Sequence, residues 1–172
     1  MITGLLPGWE KIAEEILAAN AAPITFNNIP ADFAHLALVG TYQLDAGRFG
    51  IIRFNNDSGN NYDYLLVDAL HSDTFGTGEG LGVSSIVFSP DAAGGSFGNA
   101  FIAWIPGYTG TTLEKSIIVQ TQYKYSEATG NLQHIVAHGW WRSTAAITRI
   151  DLDVITADDF VTGSHFSLYG VH

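Results

Sequence analysis

The stretch Ile51–Val67 decides the fold and reads, in order, IIRF, NNDSGNN and YDYLLV. Two runs rich in apolar and aromatic residues flank seven residues that favour turns. Asn, Asp and Ser side chains bond to nearby backbone, and Gly59 offers a backbone that accepts a positive φ. The pattern predicts a β-hairpin with an ordered polar loop, whose structural residues are Asn55, Asp57, Gly59, Asn61 and Tyr62.

Further strands are predicted on both sides of this stretch, because a lone strand pair is not stable in water. About ten short strands without helical patterns between them indicate an all-β, antiparallel sandwich or barrel. The Ala128–Asn131 turn is predicted to close a hairpin, and Asp68–Gly82 and Asp91–Asn99 are predicted to be long, glycine-rich loops. The predicted strands are Ile24–Phe26, Phe33–Tyr42, Phe49–Phe54, Tyr62–Val67, Val83–Phe88, Ala100–Ile105, Lys115–Tyr125, Gln133–Arg142, Ile147–Ile155 and Ser164–Tyr169.

The segment Gly8–Asn20 has the only helical periodicity in the chain, with Trp9, Ile12 and Ile16 on one face. A helix of this length needs packing to persist. The same residues are also compatible with a first edge strand. The residues alone leave both interpretations open, and Pro23 ends the segment in either case.

The composition indicates one domain stabilised by core burial or by association. The chain has 172 residues, of which 47% are apolar and 14% are charged, and the charged share is well below the usual ~25%. It has no cysteine and a net charge of −10, with seven scattered basic residues. This argues against binding to nucleic acid or to an anionic membrane. We expect a soluble protein without a secretion signal or membrane span.

Two pairs of residues have spacings that suggest chemistry. His134 and His138 share one face of a predicted strand ~13 Å apart, too far to bind one metal ion, so we expect a structural role. Asp151 and Asp153 share a strand face ~6.6 Å apart, near the carboxylate separation of inverting glycosidases. The same alternation is typical of the wet face of a half-buried strand, which Arg149 continues.

Two further patterns suggest ligands but do not match the motifs that bind them. The loop Asn55–Asp63 is rich in oxygen ligands suited to Ca²⁺ without the spacing of an EF-hand, and such side chains more often cap their own backbone. The glycines at alternate positions spell neither a dinucleotide nor a phosphate-binding motif. We therefore predict no metal and no cofactor. The residues are Asp57, Asn60, Asn61 and Asp63 in the first pattern and Gly76, Gly78, Gly80 and Gly82 in the second.

Large aromatic residues are the candidates for a contact surface. Adjacent Trp140 and Trp141 must face opposite sides of a strand, so one of them is expected to be exposed or in contact with a partner. The candidate interface residues are Trp9, Trp104, Tyr108, Trp140 and Trp141.

Three pieces of the chain resemble the jelly-roll structural proteins of tailed-bacteriophage particles, and with the Trp9–Ile12 opening they cover most of it. They are Ile29–Phe33 (IPADF) before an apolar strand, Arg53–Tyr62 (RFNNDSGNNY), and Thr144–Ile150 (TAAITRI) leading to Phe160–Ser164 (FVTGS) and Leu168–Val171 (LYGV). The terminal motif consists of Gly163, Ser164, Leu168, Tyr169 and Gly170.

The resemblance implies a jelly-roll sandwich over residues 21–172, an N-terminal arm over 1–20 and a first strand near Glu14–Leu17. It also implies a virion protein assembled in the host cytoplasm, with no catalytic residue. The leading interpretation is a capsid decoration, or cement, protein that forms a homotrimer and contacts the major capsid protein or other virion proteins. Its alternatives are a tail-fibre or receptor-binding module that recognises host glycans, and a glycan-cleaving enzyme that uses Asp151 and Asp153.

Overall fold

The computed structural model of the chain describes residues 8–45, 49–70, 74–89, 98–124, 132–156 and 158–172. Within these residues the chain is all-β, with twelve strands in two antiparallel sheets and no helix. The predicted antiparallel β-sandwich is therefore confirmed. The strands are β1 (Trp9–Ile16), β2 (Ile24–Phe26), β3 (His35–Tyr42), β4 (Gly50–Phe54), β5 (Tyr62–Leu70), β6 (Thr74–Val83), β7 (Ile86–Ser89), β8 (Asn99–Pro106), β9 (Lys115–Lys124), β10 (Leu132–Trp141), β11 (Ile150–Val154) and β12 (His165–Val171).

The two sheets differ in size. The larger sheet has the order β1-β12-β3-β8-β9-β10-β5-β6, and the smaller sheet has the order β2-β11-β4-β7. Strands β1 and β6 are the edges of the larger sheet. Most neighbours are distant in sequence, so the sheets are assembled by long-range pairing rather than by successive hairpins.

The core lies between the sheets and is filled by side chains at alternate positions of the strands. Strand β9 shows the alternation clearly, because its odd-numbered residues from Lys115 to Tyr123 are buried while the even-numbered ones are not. Aromatic rings fill the centre of the core and meet mostly edge to face or tilted. These rings belong to Tyr42, Phe88, Phe101, Phe160 and Phe166.

The hairpin predicted over Ile51–Val67 is wrong, although both of its strands exist. Strand β4 lies in the smaller sheet and β5 in the larger, so the loop between them crosses from one sheet to the other. Phe54 and Tyr62 are both buried, and their ring centroids are 6.4 Å apart across the core. Two strands facing each other across a core show the same alternation as two paired strands, which explains the error.

The loop predicted over Asp68–Gly82 is also wrong, because β5 extends to Leu70 and β6 begins at Thr74. Gly76, Gly78 and Gly80 share the inner face of β6, where side chains of β5 lie over them. A Cβ on Gly78 would lie 3.2 Å from Leu66 Cδ1, and a Cβ on Gly80 would overlap the Tyr64 ring. These glycines therefore make room for neighbouring side chains and do not make the segment a loop.

The segment Gly8–Asn20, whose sequence is compatible with a helix or an edge strand, contains strand β1. It pairs with β12 along its length, with a register shift between Lys11 and Ala13. Residues Trp9–Ile16 of the proposed N-terminal arm are thus part of the larger sheet. Residues 1–7 lie outside the described part of the chain.

Two other predicted features fall wholly or mainly outside the described residues. Strands β9 and β10 pair as expected for a hairpin, but the Ala128–Asn131 turn is not described. Of the predicted loop Asp91–Asn99, only the last two residues are described, and Asn99 begins β8.

The predicted strand Val83–Phe88 is divided, because Val83 ends β6 and β7 begins at Ile86. In the described ranges, no helix is long and apolar enough to cross a membrane.

The terminal motif is structural. Leu168 is fully buried, and a Cβ on Gly170 would overlap the Phe33 ring. Gly163 has a φ of +88° and donates its N–H to the Leu17 carbonyl at 2.8 Å. The buried Ser164 hydroxyl accepts the Gln43 N–H at 3.2 Å. The motif thus fastens the last strand to the core and to the end of β1.

We predict that Gly170→Ala lowers the free energy of unfolding by about 1–3 kcal/mol, because the added methyl group must displace the Phe33 ring. Gly98→Ala is the matched control, because none of the described residues has an atom within 4 Å of its Cβ position, and it should change stability by less than about 0.5 kcal/mol. Chemical denaturation measures both. Equal effects of the two substitutions would contradict the proposed role of Gly170.

Candidate functional site: a locked corner and an apolar sheet face

The loop between β4 and β5 is ordered by Asn55, which binds a distant segment. Its side-chain oxygen accepts the Thr148 N–H at 2.9 Å and the Arg149 N–H at 3.1 Å, and its amide donates to the Ala146 carbonyl at 2.8 Å. Asn55 has a φ of 51°, a conformation that Asn tolerates better than most residues. One side chain thus joins two stretches, 55–61 and 144–150, that the sequence analysis had grouped by resemblance alone.

Asp57 organises the rest of the loop. Its carboxylate accepts the Gly59 N–H at 2.9 Å, the Asn61 amide at 3.0 Å and the Trp141 Nε1–H at 2.7 Å. Gly59 does not have the positive φ predicted for it, since Asn55 and Asn56 take that conformation. Gly59 instead leaves space, because a Cβ there would lie 2.9 Å from the Asn61 amide nitrogen.

The loop between β4 and β5, residues 55–61, forms a corner between the two sheets. Tyr62, the first residue of β5, completes this corner. Its hydroxyl accepts the Phe54 N–H at 2.9 Å and lies 3.1 Å from the Asp57 carbonyl, to which it can donate. Burial raises the pKa of Tyr62 to about 12. The phenol is therefore neutral and acts as a structural crosslink between the ends of the corner. All five predicted loop residues, Asn55, Asp57, Gly59, Asn61 and Tyr62, lie within this one corner.

The carboxylates considered for a cation already have protein donors. Asp63 binds Arg142, with Nε at 2.7 Å, and accepts the Gly82 N–H at 2.8 Å. The Arg142 guanidinium holds the pKa of Asp63 below its ordinary value. Asp57 has the three donors described above. Over the described ranges, no group of three or more His, Cys, Asp or Glu residues is placed to hold a metal ion.

Asp151 and Asp153 lie on the outer face of the smaller sheet, each bound to an arginine. Asp151 is buried and accepts Arg149 Nη2–H at 2.7 Å and the Thr25 hydroxyl at 2.7 Å. Asp153 accepts Arg53 Nη1–H at 2.9 Å. A general acid or base must be free to reach a substrate proton, and in this arrangement both carboxylates instead neutralise neighbouring cations.

The candidate interface residues divide into two groups. Trp141 and Tyr108 are buried, so the expectation that they form an interface is wrong for them: Trp141 packs on Phe54 and Tyr62, and the Tyr108 hydroxyl donates to the Pro30 carbonyl. Trp9, Trp104 and Trp140 point to the outer face of the larger sheet. The expectation that one of the adjacent tryptophans is exposed is confirmed, with Trp140 49% exposed.

The outer face of the larger sheet is broad and rich in apolar side chains. Its most exposed apolar residues lie on β5, β6 and β10, at the end of the sheet beyond β9. His134 and His138 lie on this face of β10, directly opposite Gln122 and Ile118 of β9. We define the apolar face by the following residues: Leu65, Val67, Phe75, Leu81, Ile102, Ile118, Leu132 and Trp140.

An aromatic cluster continues this surface towards the opposite edge of the sheet. The Trp9 ring lies 6.4 Å from Trp104 and 5.7 Å from Tyr169, measured between ring centroids. His35 packs on Trp104 at 5.2 Å. Apolar and aromatic side chains thus occur near both edges of the sheet, whereas the outer face of the smaller sheet carries ion pairs.

Such an arrangement is suited to contact with another macromolecule. Monomeric proteins seldom expose apolar patches larger than a few hundred Å², and larger ones mark interaction sites. The sequence analysis missed the part of this face that lies on β6, because Phe75 and Leu81 were assigned to a loop. The strict alternation of Gly with larger residues over Phe75–Val83 was the signal that could have revealed it.

Comparison with family models, curated proteins and solved structures found no match.

We predict that Asp57→Asn destabilises the protein by about 1–3 kcal/mol at neutral pH, since the variant loses the charge that three donors share. Burial opposes ionisation of Asp57, but the hydrogen bonds from Trp141, Asn61 and Gly59 outweigh it and lower its pKa. The stabilisation is present above the unfolded pKa of about 4 and is lost as pH falls through the lower folded pKa.

Thermal or chemical unfolding of both proteins between pH 7 and pH 2 tests this expectation, and the difference between them should shrink towards the acid end. Glu15→Gln on the exposed face of β1 is the control and should have little effect. A difference between wild type and Asp57→Asn that is independent of pH would show that the Asp57 charge is not the stabilising feature.

Proposed function

We propose that this chain is a non-enzymatic structural protein of a tailed bacteriophage, a capsid decoration or cement protein that stabilises the head through oligomeric contacts. The single observation that carries the proposal is the apolar outer face of the larger sheet. Exposed apolar patches of this kind mark interaction sites on proteins. We propose that its partners are further copies of the chain, as a homotrimer, and the major capsid protein.

The strand order supports a jelly roll, which the resemblance to virion proteins implies. Eight strands fall into two four-stranded groups, β1-β12-β3-β8 and β2-β11-β4-β7. Following the chain through these eight strands, it changes sheet at nearly every step, as two interlocked Greek keys require. The remaining strands, β5, β6, β9 and β10, extend the larger sheet beyond this framework.

The chemistry of the remaining surface supports a role in contact rather than catalysis. Asp151 and Asp153, the only acid pair that the sequence analysis proposed for catalysis, hold Arg149 and Arg53. The net charge of −10 suits a protein that stays soluble and does not bind nucleic acid or an anionic membrane. In this proposal the protein is assembled into the virion in the host cytoplasm.

One observation favours the alternative of a tail-fibre or receptor-binding module that recognises host glycans. The half-exposed Trp140 ring lies in a shallow depression with Leu65, Leu81 and His138, and with the carboxylate of Glu79. Exposed aromatic faces beside polar groups can stack on sugar rings. On this reading Trp140 contacts a glycan and is not covered by protein.

We predict that the double substitution Leu65→Glu and Trp140→Glu weakens self-association at least about tenfold, because it places charges within the apolar face. Sedimentation velocity measures the effect. The wild type should move towards a trimer with rising concentration, and the variant should stay near the monomer mass of 18.5 kDa. Leu113→Glu is the control, since Leu113 is 77% exposed outside this face. Equal association of all three proteins would contradict an interface on the apolar face.

Copy number in the virion separates the two proposed roles. In purified particles of the phage that encodes the chain, quantitative gels should find hundreds of copies on the head, and particles without the protein should lose heat resistance. A few copies at the tail, together with a glycan-array signal that Trp140→Ala removes, would favour the receptor-binding alternative. Particles that contain none of the protein would contradict both.

A further inference from the structure

The edge strand β6 has features that favour pairing with a further strand along its free edge. It is ten residues long, Thr74–Val83, and no described strand pairs with its outer edge. Two of its outer-face side chains, Phe75 and Leu81, are 77% and 69% exposed. A long edge strand with apolar side chains and unpaired backbone groups is a template for strand addition.

The opposite edge of the same sheet is protected in the ways that natural proteins use to prevent such pairing. Strand β1 carries Glu10, Lys11, Glu14 and Glu15, and its register shifts at a bulge beside Lys11. Charges and bulges are established means of blocking edge pairing. Strand β6 has a single charge, Glu79, and its own register shift lies at its end, at Gly82, so that Phe75–Leu81 pairs regularly with β5. The two edges therefore differ in their readiness to accept a partner strand.

We propose that β6 pairs antiparallel with β6 of a second copy of this chain, about a two-fold axis that passes between the two Gly78 residues. This contact goes beyond the proposed function, and it does not depend on the chain being a virion component. The occupant is a second copy because the strand is complementary to itself in one register. In an antiparallel pair related by a two-fold axis, the numbers of any two opposite residues add up to the same value. The residue at the centre therefore determines which residues face each other along the whole strand.

Centring the pair on Gly78 places Phe75 opposite Leu81 and Thr77 opposite Glu79. Apolar side chains then meet apolar ones, and the two Glu79 carboxylates are diagonal neighbours. Centring it on Glu79 would oppose the two carboxylates directly, which is destabilising. Centring it on Thr77 would oppose Phe75 to Glu79. Of these three registers, only the one centred on Gly78 pairs apolar side chains with each other on the outer face and keeps the two Glu79 carboxylates from lying directly opposite.

A strand pair of this length buries less surface than a stable dimer interface usually does. The contact is therefore a weak one that other contacts or a covalent trap can stabilise. The net charge of −10 on each copy opposes it at low ionic strength, and added salt screens this repulsion. Pairing should consequently strengthen with salt.

Engineered disulfides test the register, because the chain has no cysteine of its own. Thr77→Cys and Glu79→Cys, prepared separately as full-length protein and mixed under oxidising conditions, should form a covalent heterodimer. Directly opposite residues of a strand pair lie within disulfide reach, while diagonal ones about 7–8 Å apart do not. Each variant alone should cross-link about tenfold more slowly than the mixture, the ratio expected for 1.4 kcal/mol.

Two controls make the outcome decisive. Leu113→Cys lies at another exposed position, distant in sequence from β6, and it reports random collision. Adding Phe75→Lys and Leu81→Lys to both cysteine variants should abolish the rapid cross-link. A mixture that cross-links no faster than Leu113→Cys would overturn the proposal. Preferential linkage of Glu79→Cys to itself would overturn the register. If the cross-link does not form while sedimentation still shows oligomers, the β6 contact is wrong and the interface on the apolar face is not affected.

Discussion

Three hydrogen bonds to the Asp57 carboxylate hold the corner where the chain passes from the smaller sheet to the larger one. The donors come from the loop itself and from Trp141 at the end of β10, so the corner is tied to a strand more than 80 residues away. Asn55 binds the segment before β11 in the same way. Because β4 and β5 belong to different sheets, this corner is one of the connections that hold the two sheets face to face.

The two sheets have outer faces of opposite character. On the smaller sheet, Arg53 and Arg149 neutralise Asp153 and Asp151, and the polar groups have partners within the chain. On the larger sheet, apolar side chains such as Leu65 and Trp140 remain about half exposed. Hydrogen bonds and ion pairs complete the first surface without help from another molecule. The second gains free energy only when apolar area is removed from water, and that requires a partner.

The sequence was sufficient for the fold class and for most strands, because alternation of apolar and polar residues is a local property. It was insufficient for pairing. Phe54 and Tyr62 alternate in phase whether their strands lie side by side or face each other, so the pattern cannot separate a hairpin from a crossing between sheets. Strand β6 was missed for a different reason: Gly76, Gly78 and Gly80 occupy its inner face, so the apolar half of the usual alternation is absent. Trp141 and Tyr108 illustrate a third limit, since composition identifies an aromatic residue but only long-range packing decides whether it is buried.

The geometry of an edge contact and that of a face contact are compatible in one assembly. A two-fold axis normal to the sheet keeps the outer faces of both copies on the same side, so pairing through β6 would join two apolar faces into one wider surface. The ion-paired faces of the smaller sheets would then lie together on the opposite side. A layer that covers a shell needs this polarity, with apolar contacts towards its partners and a charged surface towards water. A depression around Trp140 that contacts a glycan lies within one copy and does not require a second copy in the same plane. The different character of edges β1 and β6 is a feature that lateral assembly uses and that recognition of a ligand by a single copy does not.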